Sequence, residues 1–409
     1  MKNKELEKIF KDTNFVHWSG SPEELQVAEY LKEQCVKLGV EAVIEDFEVQ
    51  VATIKEAHLY ADGKEIPCRG FFGCGSGEVE GELYYMPDNN PVSIAGAKDK
   101  IVLIDATGVG HFTYQDLMKA GAKGLICQYG DLHYDNEDID ERDLRQAVVG
   151  DARKILCAMI NVRHGIEMVS KGVKTVKIVI DQEESVGKSH NVVATLPGER
   201  EEYIALTAHY DTTRLSRGAY DNMTGCVGLL GVMEKAAKIK LRYGLKFIFC
   251  GSEERGLLGS KAYVSAHEAE LQNIALNINL DMIGTIMGKF IACVSAEENL
   301  SGYVSYMGAE VGFPVSSRVG VYSSDSTSFA DKGVPALSFA RLATGSMAPI
   351  HGRYDNFDVL SMDQLQKDIE FINTFTMRMA KATVCPVGRE IPENVKKELD
   401  EYLNRKRRK

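Results

Sequence analysis

The chain has no apolar run long enough to span a bilayer. Its start, Met1-Lys2-Asn3-Lys4-Glu5, leads into charged residues rather than the short apolar stretch of a secretory signal, so neither a membrane span nor an export leader is expected. Basic excess is missing as well. With 48 Lys and Arg against 59 Asp and Glu, the formal net charge is −11, which argues against a nucleic-acid partner, and no basic stripe interleaved with aromatics offsets that balance. Paired cysteine spacing is the third absence. Nine cysteines stand singly, an odd number without the spacing of a thiolate metal site, and Cys127 and Cys250 lie inside apolar runs as small core residues. A reducing cytoplasm is the expected location. What is present, 409 residues of which 44% are hydrophobic, suffices for a full core and for two to three domains by length.

The stretch from Thr207 to Asp281 carries the chemistry. It reads T-A-H-Y-D at 207–211, A-Y-D-N at 219–222, G-S-E-E at 251–254 and N-L-D-M at 279–282. The first, third and fourth pieces follow short apolar runs, at 203–206, 245–249 and 274–278, which read as buried strands of a mostly parallel sheet. Ligands of open α/β sheets bind beyond the carboxyl ends of the strands. His209, Glu253, Glu254 and Asp281 are therefore predicted at one edge. Imidazole nitrogen and carboxylate oxygen suit a divalent ion that keeps a position open for water. Asp221 is predicted to open a helix running from Asn222 to about Lys238, where the helix dipole favours a carboxylate. One aspartate can bridge two metals roughly 3.5–4 Å apart. Of two adjacent glutamates, one can bind metal while the other faces water as a general base.

H-Y-D (209–211), G-A-Y-D-N-M-T-G (218–225), S-E-E-R-G-L-L-G-S (252–260), N-L-D-M-I-G (279–284), S-D-S-T-S-F (324–329) and H-G-R-Y-D (351–355) together resemble the M28 family of zinc aminopeptidases. The resemblance implies an α/β fold of the zinc-exopeptidase type, with a mixed, mostly parallel central sheet flanked by helices and a smaller α/β or β-rich domain inserted. It implies two Zn2+, with Co2+ or Mn2+ able to stand in. His209, Asp221 and Asp281 would hold one ion, and Asp221, Glu254 and His351 the other. Glu253 would be the base, and Asp211 would orient the His209 ring. It also implies a cis peptide at Asp221-Asn222. Tyr322 lies close to where some members carry a tyrosine that polarises the oxyanion. Other members place that tyrosine just before the last histidine, where this chain has Ile350.

Residues 58–162 differ in character. Glycine is dense over 70–81, K-D-K-I-V-L-I-D (98–105) reads as a strand, Phe112 to Lys119 as a helix, and A-G-A-K-G-L-I-C (120–127) as a turn into a second strand. This resembles the protease-associated domain often inserted in M28 peptidases, with Asp99 where that pattern has glycine. The expected division is a catalytic domain from 1–57 and 163–390, an insert at 58–162 and a charged, solvated helix or tail at 391–409. The acidic run Asn136 to Asp143 reads as a solvated face. Near the start, Ser21, Pro22 and Glu24 match an N-cap, a first helical position and a capping box, for a helix ending at Gly39. His190 and His267 read as structural. An aminopeptidase acting on peptides is the first reading. A carboxypeptidase or dipeptidase of the same fold stays open, because Arg214 and Arg217 lie between two expected ligands and could take a substrate carboxylate. A single-zinc glutaminyl cyclase is a further alternative. A non-catalytic binding relative ranks last, since every ligand position and the base are filled.

Overall fold

The structure, a computed structural model, describes residues 2–133 and 138–408. It divides into two compact units, Met1–Val49 with Lys188–Arg408, and Gln50–Gly187. Two long strands, Ala42–Ala61 and Thr175–Leu196, contribute residues to both units.

In the first unit the strands run in the order Ser316–Val319, Lys289–Ser295, Ala336–Leu342, Ile274–Leu280, Tyr203–His209, Gly244–Cys250 and the end of Thr175–Leu196. The four strands from Ala336–Leu342 to Gly244–Cys250 are mutually parallel, whereas Lys289–Ser295 pairs antiparallel with Ala336–Leu342 and parallel with Ser316–Val319, and the Val192–Leu196 segment pairs antiparallel with Gly244–Cys250. Tyr203–His209 is buried from Ile204 onward, as a strand covered on both faces must be. Its apolar run, with no alternation, is the sequence form of that burial.

The helix Thr224–Ala236 is buried over almost its whole length, on every face. Three glycines allow this. A Cβ at Gly225 would lie 2.3 Å from the Leu280 carbonyl oxygen, one at Gly228 2.8 Å from Leu280 Cδ1, and one at Gly231 2.8 Å from Ile369 Cγ2. The helix thus lies almost in backbone contact with the end of the Ile274–Leu280 strand, and that proximity sets the site.

Several expectations need correction. The helix after Asp221 begins at Thr224 rather than Asn222. Ala219–Met223 is an irregular turn in which Asp221 has φ −110° and ψ 88°. Asp221 therefore stands ahead of the helix and not on its first turn. The capping box at the first unit's Pro22–Lys37 helix is half formed: Ser21 Oγ accepts the Glu24 N–H, but Glu24 turns its carboxylate to the Gly20 N–H. The C-terminal helix, Glu393–Tyr402, is not a free tail. Val395 and Leu399, four apart, are buried with Ala330, Ala336 and Ile391.

The second unit holds parallel strands Gly77–Met86, Lys100–Ile104, Gly124–Tyr129 and Leu156–Asn161 in that order, edged by antiparallel partners at 175–180 and Arg69–Gly70. The helix His111–Ala120 ends at Gly121, whose φ of 90° turns the chain into the next strand. Of the acidic run, residues 136 and 137 lie outside the described residues. Asp140 is buried and ion-paired with Arg142 at 2.6 Å, so the run is not wholly solvated.

All nine cysteines are free, and only Cys68 and Cys385 are not fully buried.

Candidate metal centre

Three neighbouring parallel strands deliver their C-terminal residues to one place. Tyr203–His209 ends on His209, Ile274–Leu280 is followed by Asp281, and Gly244–Cys250 by Gly251, Ser252, Glu253 and Glu254. Asp221 arrives from the turn before the glycine-lined helix, and His351 from a loop.

These residues form two donor groups, His209 with Asp221 and Asp281, and Asp221 with Glu254 and His351. Within each group the candidate ligand atoms lie within 4.8 Å of one another. Asp221 belongs to both. Its Oδ1 is 3.0 Å from His209 Nε2 and its Oδ2 is 3.1 Å from His351 Nε2. His351 Nε2 also lies 3.3 Å from Glu254 Oε2, and His209 Nε2 lies 3.8 Å from Asp281 Oδ1. Asp281 Oδ1 is sealed from solvent without a hydrogen-bond partner among the described residues. Three carboxylates and two imidazoles so placed leave buried acid undercompensated, which a divalent cation would correct. The donor set fits such an ion. His351, 37% exposed, gives the cluster its open side.

A ring of hydrogen bonds holds the donors in place. Asp211 accepts the backbone N–H groups of Glu253 and Glu254 at 2.8 and 3.2 Å. Its carbonyl oxygen, 3.3 Å from His209 Nδ1, is nearer that ring than its carboxylate at 3.6 Å. Orientation of His209 thus falls to the Asp211 carbonyl first, while the carboxylate fixes the glutamate turn. Asp355 accepts the Tyr220 and Asp221 N–H groups at 2.8 and 3.1 Å. Asn222 donates to the Leu280 carbonyl at 2.8 Å and accepts the Met282 and Gly225 N–H groups at 3.0 Å each. It thereby ties the Asp221 turn to the Asp281 strand end. The peptide bond Asp221–Asn222 is cis.

Without metal, burial raises the Glu253 carboxyl well above the usual carboxylate range, against the opposing pull of His209. Burial also pushes Glu254 up to about 8 and, together with the Asp221 charge, Asp355 up to about 7. Asp221 goes the other way. Burial acts to raise it, but hydrogen bonds to His209 and His351 outweigh that and hold it low.

Tyr322 lies within reach of the charges of the same carboxylates. Its hydroxyl is buried with no hydrogen-bond partner among the described residues, and burial followed by the Asp281 and Asp221 charges raises its pKa. His190 and His267 lie elsewhere: the first contacts Asp46 at 2.9 Å, and the second contacts Glu45 and Glu270. Arg214 places its guanidinium 3.9 Å from the centre of the Trp18 ring, and Arg217 is exposed.

Asp355, Asn222 and Asp325 complete the site's surroundings. All three lie inside the motif pieces, but nothing in their spacing assigns them a partner. Asp325, in S-D-S-T-S-F, is fully buried and burial pushes it up to about 6.

Residues 191–376 match the profile of Peptidase family M28. The chain is 26% identical over 321 residues to aminopeptidase YwaD of Bacillus subtilis (strain 168), covering 75% of this chain and 66% of that protein. It is 29% identical over 240 residues to leucine aminopeptidase 2 of Arthroderma otae, covering 56% of this chain and 47% of the relative. The chain thus spans about two thirds and about half of the lengths of these curated relatives. Its fold is similar to that of an aminopeptidase from Aneurinibacillus sp. strain AM-1 (TM-score 0.76, 22% identity, 95% of this chain and 96% of that one). It is similar as well to the zinc aminopeptidase BSAP from Bacillus subtilis (TM-score 0.76, 22% identity, 96% and 99%). At that identity the two structures bear on the fold. The sequence match bears on the site, because every donor and both glutamates lie inside the stretch 191–376 that matches the profile.

Proposed function

We propose that the protein is a metal-dependent aminopeptidase that cleaves the N-terminal peptide bond of peptides and works with two zinc ions. The observation that carries this is the position of Asp221, one carboxylate oxygen within 3.0 Å of His209 and the other within 3.1 Å of His351. An aspartate so shared suits a pair of ions rather than one. His209, Asp221 and Asp281 would hold the first, and Asp221, Glu254 and His351 the second. When bound, the ions supply Lewis acidity at the scissile carbonyl and lower the pKa of attacking water.

The remaining steps fall to the chain's own groups. Glu253 takes a proton from the attacking water and delivers it to the departing amine. Its buried setting, which raises its proton affinity, suits a group that must hold that proton between the two events. Tyr322, whose buried hydroxyl has no hydrogen-bond partner among the described residues, would donate to the oxyanion. Asp211 keeps the two glutamate N–H groups fixed, so that adjacent side chains serve different ends.

Preference for a free amino end follows from charge. The carboxylates of Asp281, Asp221 and Glu253 surround the His209 side, while of the two arginines named for a substrate carboxylate Arg214 lies over Trp18 and Arg217 is exposed. A dipeptide blocked at its carboxyl end should be cleaved and one blocked at its amino end should not. The reverse pattern would establish the carboxypeptidase reading. The unit Gln50–Gly187 is proposed as a protease-associated-like insert, and deleting it with retention of dipeptide cleavage but altered selectivity among longer peptides would support that.

A further inference from the structure

We infer that Glu24, on the first turn of the N-terminal Pro22–Lys37 helix, is a positioning residue for the Gly251–Glu254 turn that presents the base and one metal ligand. The inference rests on the reading of Glu253 as base and Glu254 as ligand. Glu24 is fully buried, and its helix would have it accept the Ser21 N–H. Instead Oε2 accepts the Gly20 N–H at 2.6 Å, while Oε1 accepts the Ser189 hydroxyl at 2.7 Å and the Ser252 hydroxyl at 3.4 Å. Ser252 Oγ donates to Ser189 Oγ at 2.7 Å and lies 2.5 Å from Ser19 Oγ. Two hydroxyls therefore reach the Glu24 carboxyl group, and a third, that of Ser19, is linked to it through Ser252.

What they hold is an unfavourable backbone. Ser252 has φ +56°, in the left-handed region that a residue with a Cβ seldom adopts, and it immediately precedes Glu253. Through this reversal the next two N–H groups, of Glu253 and Glu254, both reach the Asp211 carboxylate. The turn is thus held from both sides, by Asp211 on the glutamate N–H groups and by Glu24 on the serine hydroxyl. Packing leaves no slack. A Cβ on Gly251 would lie 2.8 Å from Glu24 Oε1, 2.7 Å from Ser189 Oγ and 2.5 Å from the His190 carbonyl oxygen. Gly251 donates its N–H to Asn191 Oδ1 at 3.2 Å. Removing the Glu24 carboxyl group frees the Ser252 side of the turn, and with it the aim of both glutamates.

The test uses the whole 409-residue chain, zinc-loaded, as wild type, Glu24→Ala, Glu24→Gln and Ser252→Ala. It measures kcat and KM on an aminoacyl-4-nitroanilide, zinc affinity by competition with a chromogenic chelator, and Tm. Displaced supports behind metal ligands cost about 10–100-fold in affinity or activity. Glu24→Ala should lower kcat by about that factor, leave KM within about twofold, and weaken one of the two zinc sites about tenfold. Glu24→Gln should recover most of the loss, because its carbonyl can take the Gly20 N–H and its amide can donate to the serine hydroxyls. Ser252→Ala should reproduce the kcat loss with the helix end intact. Glu24→Ala with a lower Tm but unchanged kcat and zinc affinity would overturn the inference. If Glu24→Ala does not fold, an unchanged kcat in Ser252→Ala overturns it. A wild-type protein without peptidase activity would sink the parent reading instead, and zinc affinity in the same variants would still decide whether Glu24 positions the turn.

Discussion

Gly225→Ala tests whether the site's geometry depends on how closely the Thr224–Ala236 helix approaches the sheet. The added methyl would lie 2.3 Å from the Leu280 carbonyl oxygen and 2.6 and 2.7 Å from the Asn222 side-chain oxygen and nitrogen. Ordinary contact begins near 3.4 Å, so the helix start must retreat by roughly 1 Å, or Asn222 must leave its bonds to Leu280 and Met282. Overpacking of this kind costs about 1–3 kcal/mol of stability. Asp221 lies on the turn that would move, and a displacement of about 1 Å at a catalytic constellation costs on the order of 100-fold in rate. The expected result is therefore a clear drop in Tm together with a kcat loss of about two orders of magnitude on an aminoacyl-4-nitroanilide. Gly302→Ala is the control. It sits in the Glu298–Val311 helix with nothing within 4 Å of the added methyl, and should keep full activity while gaining up to about 1 kcal/mol from helix propensity. Wild-type kcat and Tm in Gly225→Ala would refute the reasoning.

Glu253→Gln should retain both metals by elemental analysis while kcat falls by about 10²–10⁴-fold, whereas near-normal turnover would remove Glu253 from the mechanism. Asp368→Ala should destabilise the protein by about 3–5 kcal/mol in chemical denaturation, because it strands the buried Arg341 guanidinium and the Gly284 N–H that Asp368 now satisfies. The metal-free protein should lose stability as pH rises from about 4.5 towards 8. Burial pushes Glu24 up to about 8 in the folded chain, so the native state holds a proton that the unfolded chain releases near 4.5. The slope of unfolding free energy against pH is then negative in that window, absent below it, and should be shallower in Glu24→Gln. Treatment with a chelator should abolish peptidase activity, and added zinc should restore it; activity that survives chelation would contradict the metal reading.

The strand ends were legible because a parallel strand buried on both faces is a short, mostly apolar run, and a cluster of polar residues within a few positions of its end marks the sheet edge. His209, Asp281 and the Glu253-Glu254 pair each lie within four residues of such a run. Asp221 was legible as a residue but not as a conformation. The Asn222 to Lys238 segment has helical periodicity from its start, yet the irregular turn before Thr224 is imposed by Asp355 and Asn222, whose partners lie 134 and 58 residues away. The same holds for Glu24. Locally its spacing from Ser21 satisfies a capping box, and only serines 165 and 228 residues further along show why its carboxyl group points inward. The C-terminal helix was misread for a related reason. Its charge dominates the composition, while the two buried side chains, Val395 and Leu399, suffice to dock it.

The shared role of Asp221 is tested most directly by counting metal. Elemental analysis of the purified wild-type chain should give two zinc ions per molecule, and Asp221→Ala, which removes an oxygen donor from both groups at once, should give close to none. One zinc in the wild type, or two retained in Asp221→Ala, would contradict the account.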